Sequence, residues 1–242
     1  MVVGLGGCER RGVGRWIAGG LTLGVLLTSG VTAQGQRSGK QKRPRRETNA
    51  SRQARIQRTI EATYAHPWEV FGGGGYLRWR SGAATQKNNE VSWAAGANYF
   101  LSHKLAIVGD AQGSFGHAKP LKFNPDAAPI ANPQINEYFF TGGANYRFYE
   151  KEKVALSVQG TGGIAWGIFS SGSPQSYYGP AIGLWQDGIR PAFTVSVNAD
   201  YNVYPNLAVR FSPTYVGSTF GGQVQNNLGF NAGVLYRFGS RK

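Results

Sequence analysis

Eight stretches in which apolar and polar side chains alternate fill most of the chain from residue 68 onward. In the last of them, Phe230, Ala232 and Val234 alternate with Asn231 and Gly233. A period of two is the signature of a β-strand with two different faces. The pattern therefore predicts an all-β domain over 67–242. Its strands are expected at 68–79, 90–100, 105–115, 135–148, 154–166, 191–203, 207–215 and 226–238.

The links between these strands alternate in length. Three are short turns, at 101–104, 149–153 and 204–206. The other four are longer, at 80–89, 116–134, 167–190 and 216–225. Each strand is about as long as a tilted strand needs to be to cross a bilayer. Short turns on one side and long loops on the other are typical of a transmembrane up-and-down β-barrel.

The aromatic residues indicate which face of the barrel is apolar. A soluble barrel turns its apolar face inward, and a membrane barrel turns it outward into lipid. Two aromatic belts favour the membrane arrangement, because a bilayer has two interfaces. One belt is predicted to hold Tyr99, Phe100, Tyr146, Phe148, Tyr149, Tyr201, Tyr204, Tyr236 and Phe238, and the other Trp79, Trp93, Phe115, Tyr138, Trp166, Phe193 and Tyr215.

The N-terminus has the pattern of an export signal. Arg10, Arg11 and Arg15 precede an apolar run at 17–31, and Val31-Thr32-Ala33 offers small residues for cleavage. The run is too short for a spanning helix, which needs about 20 residues. We predict a signal peptide over 1–33, cleaved after Ala33.

A basic segment follows at 34–66. Its first part is almost free of apolar residues and is expected to be disordered. Residues 51–64 place several apolar side chains on one helical face, with Ser51 as a candidate N-cap. This stretch is expected to be either a short amphipathic helix at the membrane interface or a solvated linker.

Charge and cysteine content exclude several functions. The net charge is +14, but residues 1–66 hold 12 Lys/Arg against 3 Asp/Glu, so it belongs mostly to the N-terminal segment. We therefore expect no nucleic-acid binding. The single cysteine, Cys8, lies in the predicted signal peptide, and His66, His103 and His117 lack metal-ligand spacing. No metal site and no cofactor are predicted.

An eight-stranded barrel is just wide enough for side chains to fill it, so the lumen is expected to be plugged. Val203 is placed opposite Leu207 across the turn at 204–206, which puts Asp200 opposite Arg210 on the polar face. We predict a lumenal ion pair between them, in a polar network whose further members are Arg147, Arg237 and Asp110. The alternative is that these charges are solvated near the mouth of the barrel.

The last strand carries a recognisable motif. The stretch Asn231-Ala232-Gly233-Val234-Leu235-Tyr236-Arg237-Phe238 resembles the C-terminal assembly signal of bacterial outer-membrane barrels. The first strand, with Val70-Phe71-Gly72-Gly73 and Gly75-Tyr76-Leu77-Arg78, is similar to the opening strand of OmpA-like barrels. Within the motif, the resemblance assigns the signal to Asn231, Gly233, Tyr236 and Phe238.

The resemblance also implies a location and partners. The expected place is the outer membrane of a Gram-negative cell envelope, with both termini in the periplasm. The expected partners are outer-membrane lipid and lipopolysaccharide, the barrel-assembly machinery and periplasmic chaperones. No extracellular ligand is indicated by the sequence.

We predict a structural or surface-binding barrel rather than an enzyme. One alternative is a narrow, porin-like channel for small solutes. A weaker alternative is a lipid A-modifying enzyme that uses a serine, a histidine and a carboxylate near the rim, for which Ser114, His117 and Asp126 are the candidates.

Overall fold

The computed structural model describes residues 48–83, 85–118, 133–171, 180 and 183–240. They form a helix, α1 (Asn49–Tyr64), and eight strands. The strands are β1 (Trp68–Arg80), β2 (Lys87–Phe100), β3 (Leu105–His117), β4 (Gln134–Glu150), β5 (Val154–Ser171), β6 (Gly188–Tyr204), β7 (Leu207–Ser218) and β8 (Gln225–Phe238). The predicted signal peptide at 1–33, its cleavage site at Ala33 and the basic residues 34–47 lie outside the described residues.

All eight strands pair antiparallel with their neighbours in sequence, and β8 pairs with β1 to close the barrel. The predicted fold class and strand order are thus confirmed. Most observed strands extend beyond the predicted ranges where the long loops begin. There the backbone ladder continues, although the side chains no longer alternate in polarity. We call this end of the barrel the loop end, and the end with the short turns the turn end.

The seam between β1 and β8 depends on two glycines. Gly73 and Gly233 are partners in the register. A Cβ atom on Gly233 would lie 2.2 Å from the carbonyl oxygen of Gly72 and 2.5 Å from the Cα of Gly73. Only glycine therefore allows the two backbones to approach at this point of the closing pair.

The outer face of the barrel is apolar. Exposed aromatic side chains form a belt at the turn end, which includes Trp68, Tyr99, Tyr146, Tyr201, Tyr236 and Phe238. A second belt lies toward the loop end and includes Trp93, Trp166 and Phe193. Two predicted belt members are wrong, because Trp79 and Phe100 are buried inside the barrel.

The lumen has three layers. Charged side chains fill the turn end, and mostly neutral polar side chains, together with Asp110, surround a small cavity at mid-height. The loop end is apolar. We define the loop-end cluster as Leu77, Trp79, Ala118, Ile135, Phe139, Ala165, Phe169, Leu184, Ala192, Val216 and Phe220. The polar–apolar alternation did not predict an apolar layer on the inner face.

Helix α1 precedes the barrel at its turn end. Thr48 is the N-cap, and its hydroxyl accepts a hydrogen bond from the backbone N–H of Ser51 at 3.3 Å. The predicted N-cap at Ser51 is therefore wrong by one helical turn. Among the described residues, no helix is long and apolar enough to cross a membrane. The helix ends at Tyr64, whose side chain is buried.

Candidate functional site: a lumen closed at both ends

Glu69 is the centre of the charged layer. It lies on the inner face of β1 and is 1% exposed. One carboxylate oxygen, Oε1, accepts hydrogen bonds from Arg147 at 2.5 Å and from Arg237 at 2.7 Å. The other oxygen, Oε2, lies 3.5 Å from Arg210. The orientation of Glu69 could not be predicted, because a run of glycines follows it in β1.

Asp200 and Arg210 form a bidentate salt bridge beside Glu69. The Nε and Nη2 atoms of Arg210 donate to Asp200 at 2.6 and 2.9 Å. The two residues are direct partners in the register between β6 and β7. Arg237 also lies near Asp200, at 3.8 Å.

The expected partnership at the turn itself is wrong. Leu207 pairs with Tyr204 and not with Val203. A bulge between Asn202 and Tyr204 restores the count further along the two strands, so that Asp200 still faces Arg210.

The charged layer balances most of its charge among five residues, which are Glu69, Asp200, Arg147, Arg210 and Arg237. Three arginines face two carboxylates, which leaves one positive charge. Glu150, which is 22% exposed, lies 3.6 Å from Arg147 at the rim. Buried ions require such pairing, because removing one from water without a partner costs several kcal/mol. The turn end of the lumen is thus filled by a network of buried salt bridges.

Tyr64 of α1 covers this network from outside. Its hydroxyl donates to the carbonyl oxygen of Lys151 at 2.9 Å and accepts from Asn202 Nδ2 at 3.0 Å. The guanidinium carbons of Arg147 and Arg237 lie 4.9 and 5.5 Å from its ring centre. These are cation–π distances. We call this arrangement the Tyr64 cap.

Asn202 and Phe100 connect the cap to the barrel wall. The side-chain oxygen of Asn202 accepts from Arg237 at 2.9 Å, while its amide reaches the carbonyl of Glu152 at 3.2 Å. The ring of Phe100 lies 4.1 Å from the guanidinium carbon of Arg147. Burial raises the pKa of Tyr64, and the bond from Asn202 and the two arginines oppose that rise.

The cap was missed by sequence reasoning. The only available signal was the apolar face of the helical stretch, which included Tyr64 but did not show what the face would contact. Lys151 and Asn202 lie far from Tyr64 in sequence.

The middle layer encloses a cavity of about 50 Å³. Asp110 accepts a hydrogen bond from Gln159 there, and Asn198 donates to Gln159 at 3.2 Å. Asp110 thus lies at mid-height on the inner face, apart from the salt bridges around Glu69. The cavity has room for a few water molecules.

The loop end is closed by stacked aromatic rings. Trp79 stacks on Phe169 with ring centres 5.4 Å apart, and Phe220 packs edge-on against Phe169 at 5.1 Å. Trp185 covers this group and donates its indole N–H to the carbonyl of Arg80 at 3.3 Å. The described residues therefore close the lumen at this end with apolar contacts.

The structure separates the enzyme candidates. Ser114 is buried on the inner face of β3, and His117 is exposed at the end of the same strand. Asp126 lies outside the described residues. Within the described ranges, no group of three or more His, Cys, Asp or Glu residues is placed to hold a metal ion.

The assembly-signal residues occupy both faces of β8. Asn231 points inward, and its side-chain oxygen is 3.3 Å from the hydroxyl of Ser92. Tyr236 and Phe238 are exposed on the outer face, where Phe238 stacks against Trp68 with ring centres 6.3 Å apart. Gly233 lies at the seam described above.

No protein-family model matches this sequence, and no curated protein matches it significantly. Several solved structures do match this chain. Neisserial surface protein A aligns with 71% of this chain over 97% of its own length, with 16% identity and a TM-score of 0.50. The outer membrane protein OprG from Pseudomonas aeruginosa aligns with 73% of this chain over 98% of its own length, with 12% identity and a TM-score of 0.47. At 16% identity the likeness to Neisserial surface protein A shows the fold alone, an eight-stranded outer-membrane barrel.

Proposed function

We propose that the chain is an integral outer-membrane β-barrel with a closed lumen, which acts as a structural or surface-binding protein. The observation that carries the proposal is the reversal of polarity between the two faces. Val195, Val197 and Phe193 are exposed, while Asp200 and Arg210 are buried. An apolar outer band between two aromatic belts matches a bilayer and would be insoluble in water.

The proposed orientation puts the turn end in the periplasm. Short turns face the periplasm in barrels of this type, and longer loops face outward. Because α1 lies at the turn end, the basic segment before it would also be periplasmic. The expected assembly signal, with Tyr236 and Phe238, then lies on the strand that closes the barrel.

Migration on a semi-native gel, with and without boiling, tests membrane insertion. An outer-membrane fraction should contain a species that migrates faster before boiling than after it, because the folded barrel is compact and resists detergent. Absence of this species from the outer membrane, with the protein found in a soluble fraction, would refute the proposal.

A narrow channel is the second candidate, and the polar middle layer with its cavity favours it. Planar-bilayer recording distinguishes the two functions. The salt-bridge network and the loop-end cluster predict a silent wild-type protein. Stable, ion-sized current steps from the purified wild type would favour the channel and contradict the closed lumen.

A further inference from the structure

Two glutamates lie buried beneath the loop-end cluster, away from the charged layer. Glu90 of β2 is 1% exposed, and Glu137 of β4 is fully buried. None of their four carboxylate oxygens has a hydrogen-bond partner. Buried carboxylates without a partner are rare, and a bound ion or water is a common explanation.

The strand register brings the two side chains together across β3. Glu137 is paired with Ser114, and Ser114 is paired on its other side with Ser92. A Cβ atom on Gly116 would lie 2.6 Å from the Cγ of Glu90. The side chain of Glu90 therefore lies over Gly116 of β3, two residues along that strand from Ser114.

A third side chain contributes a fifth oxygen to the same part of the lumen wall. Ser114 is fully buried, and its hydroxyl oxygen also has no hydrogen bond of acceptable geometry, although it lies beside Glu90. The strand pairing places it directly opposite Glu137. Five oxygen atoms from three adjacent strands thus lie close together on one stretch of the lumen wall.

The two carboxylates are enclosed by the barrel wall, and no cationic side chain among the described residues lies beside them. Gly167 is the partner of Glu137 on β5. It lies under the rings of the loop-end cluster, because a Cβ atom there would be 2.6 Å from the ring of Phe169 and 2.8 Å from that of Phe220. The buried arginines are bound to Glu69 and Asp200 at the opposite end of the lumen. The charges of Glu90 and Glu137 act unfavourably on each other.

From this convergence we propose that Glu90, Glu137 and Ser114 form a binding site for one hard divalent cation, Ca²⁺ or Mg²⁺. Carboxylate and hydroxyl oxygens are the donors that these ions prefer. Two carboxylates balance the charge of one such ion, and waters complete its coordination. The bound ion connects β2, β3 and β4 below the loop-end cluster. The site depends only on the barrel geometry and stands apart from the proposed cellular role.

Calorimetric titration of the refolded full-length protein in detergent with CaCl₂, and separately with MgCl₂, tests the proposal. The wild type should bind one ion per barrel. Glu90→Gln and Glu137→Gln should each weaken binding on the order of 100-fold, because each removes a charged ligand. The matched control is Glu61→Gln on exposed α1, which should bind like the wild type. Folding of every variant is checked by its shift on a gel before boiling.

Tb³⁺ luminescence locates the ion if a glutamine variant fails to fold. Trp79 lies on the strand next to Glu90 and faces the lumen, so it should sensitise Tb³⁺ bound at this site. Trp79→Phe should lower the emission while the protein still binds Ca²⁺. A folded wild type that binds neither Ca²⁺ nor Mg²⁺ would overturn the proposal. So would unchanged affinity in folded Glu90→Gln and Glu137→Gln, or unchanged Tb³⁺ emission in Trp79→Phe.

Discussion

Replacing Glu69 with glutamine tests the salt-bridge network at its centre. The substitution keeps the shape of the side chain but removes its charge, so the local balance changes from three arginines against two carboxylates to three against one. Glu69 makes two short bonds, at 2.5 Å to Arg147 and 2.7 Å to Arg237. Its third contact, to Arg210, is longer at 3.5 Å.

The expected loss follows from these distances. A hydrogen bond to a charged group contributes about 1.5–3 kcal/mol, so two short ones give about 3–6 kcal/mol. Part of this free energy is regained, because water can enter the cavity and the arginine side chains can rotate. We therefore expect Glu69→Gln to lower the free energy of unfolding by about 3–5 kcal/mol, the usual cost of breaking a buried pair.

Urea unfolding in detergent micelles, followed by tryptophan fluorescence, measures this loss. The control is Glu150→Gln, which removes the partly exposed, more distant partner of Arg147 at 3.6 Å and should cost about 1 kcal/mol. If Glu69→Gln destabilises the barrel no more than Glu150→Gln does, the view of Glu69 as the centre of the network is wrong.

Three other substitutions test separate parts of the structure. Asp200→Ala leaves Arg210 without its two short bonds and should cost about 3–5 kcal/mol, seen as a lower temperature for loss of the fast-migrating gel band; an unchanged temperature would contradict the pairing. Tyr64→Phe should speed subtilisin cleavage of α1 about 5- to 30-fold, because the cap loses hydrogen bonds worth about 1–2 kcal/mol. Burial raises the pKa of Tyr64 above its ordinary 10.0, so its neutral form stabilises the cap below pH 10.0 and that contribution is lost as pH rises further. Above pH 10.0 the resistance of α1 to subtilisin should therefore fall in the wild type. The resistance of Tyr64→Phe should not change over the same pH range. Gly233→Val places a side chain 2.2 Å from the carbonyl of Gly72 and should abolish the folded gel band, whereas Gly72→Val, with open space around it, should keep the band.

The sequence by itself determined the architecture. Alternation with period two is a local property, because neighbouring side chains in a strand point to opposite faces. It predicted the eight strands. The alternation of short and long links predicted at which end of the barrel the short turns lie. Counting outward from one short turn also placed Asp200 opposite Arg210, since residues across a hairpin are few positions apart.

Beyond the Asp200–Arg210 pair, only the tertiary structure decided what fills the lumen. Glu69 meets its arginines across strands far apart in the chain, and closure of the barrel sets that distance. Polarity along a strand does not show the height at which the inner face turns apolar, so the inward position of Trp79 is not visible in the sequence. Nor does it show that an aromatic ring packs on a buried guanidinium, as Phe100 does on Arg147. The Tyr64 cap and the convergence of Glu90 with Glu137 have the same origin. Each depends on the register of several strands at once, which short-range patterns do not contain.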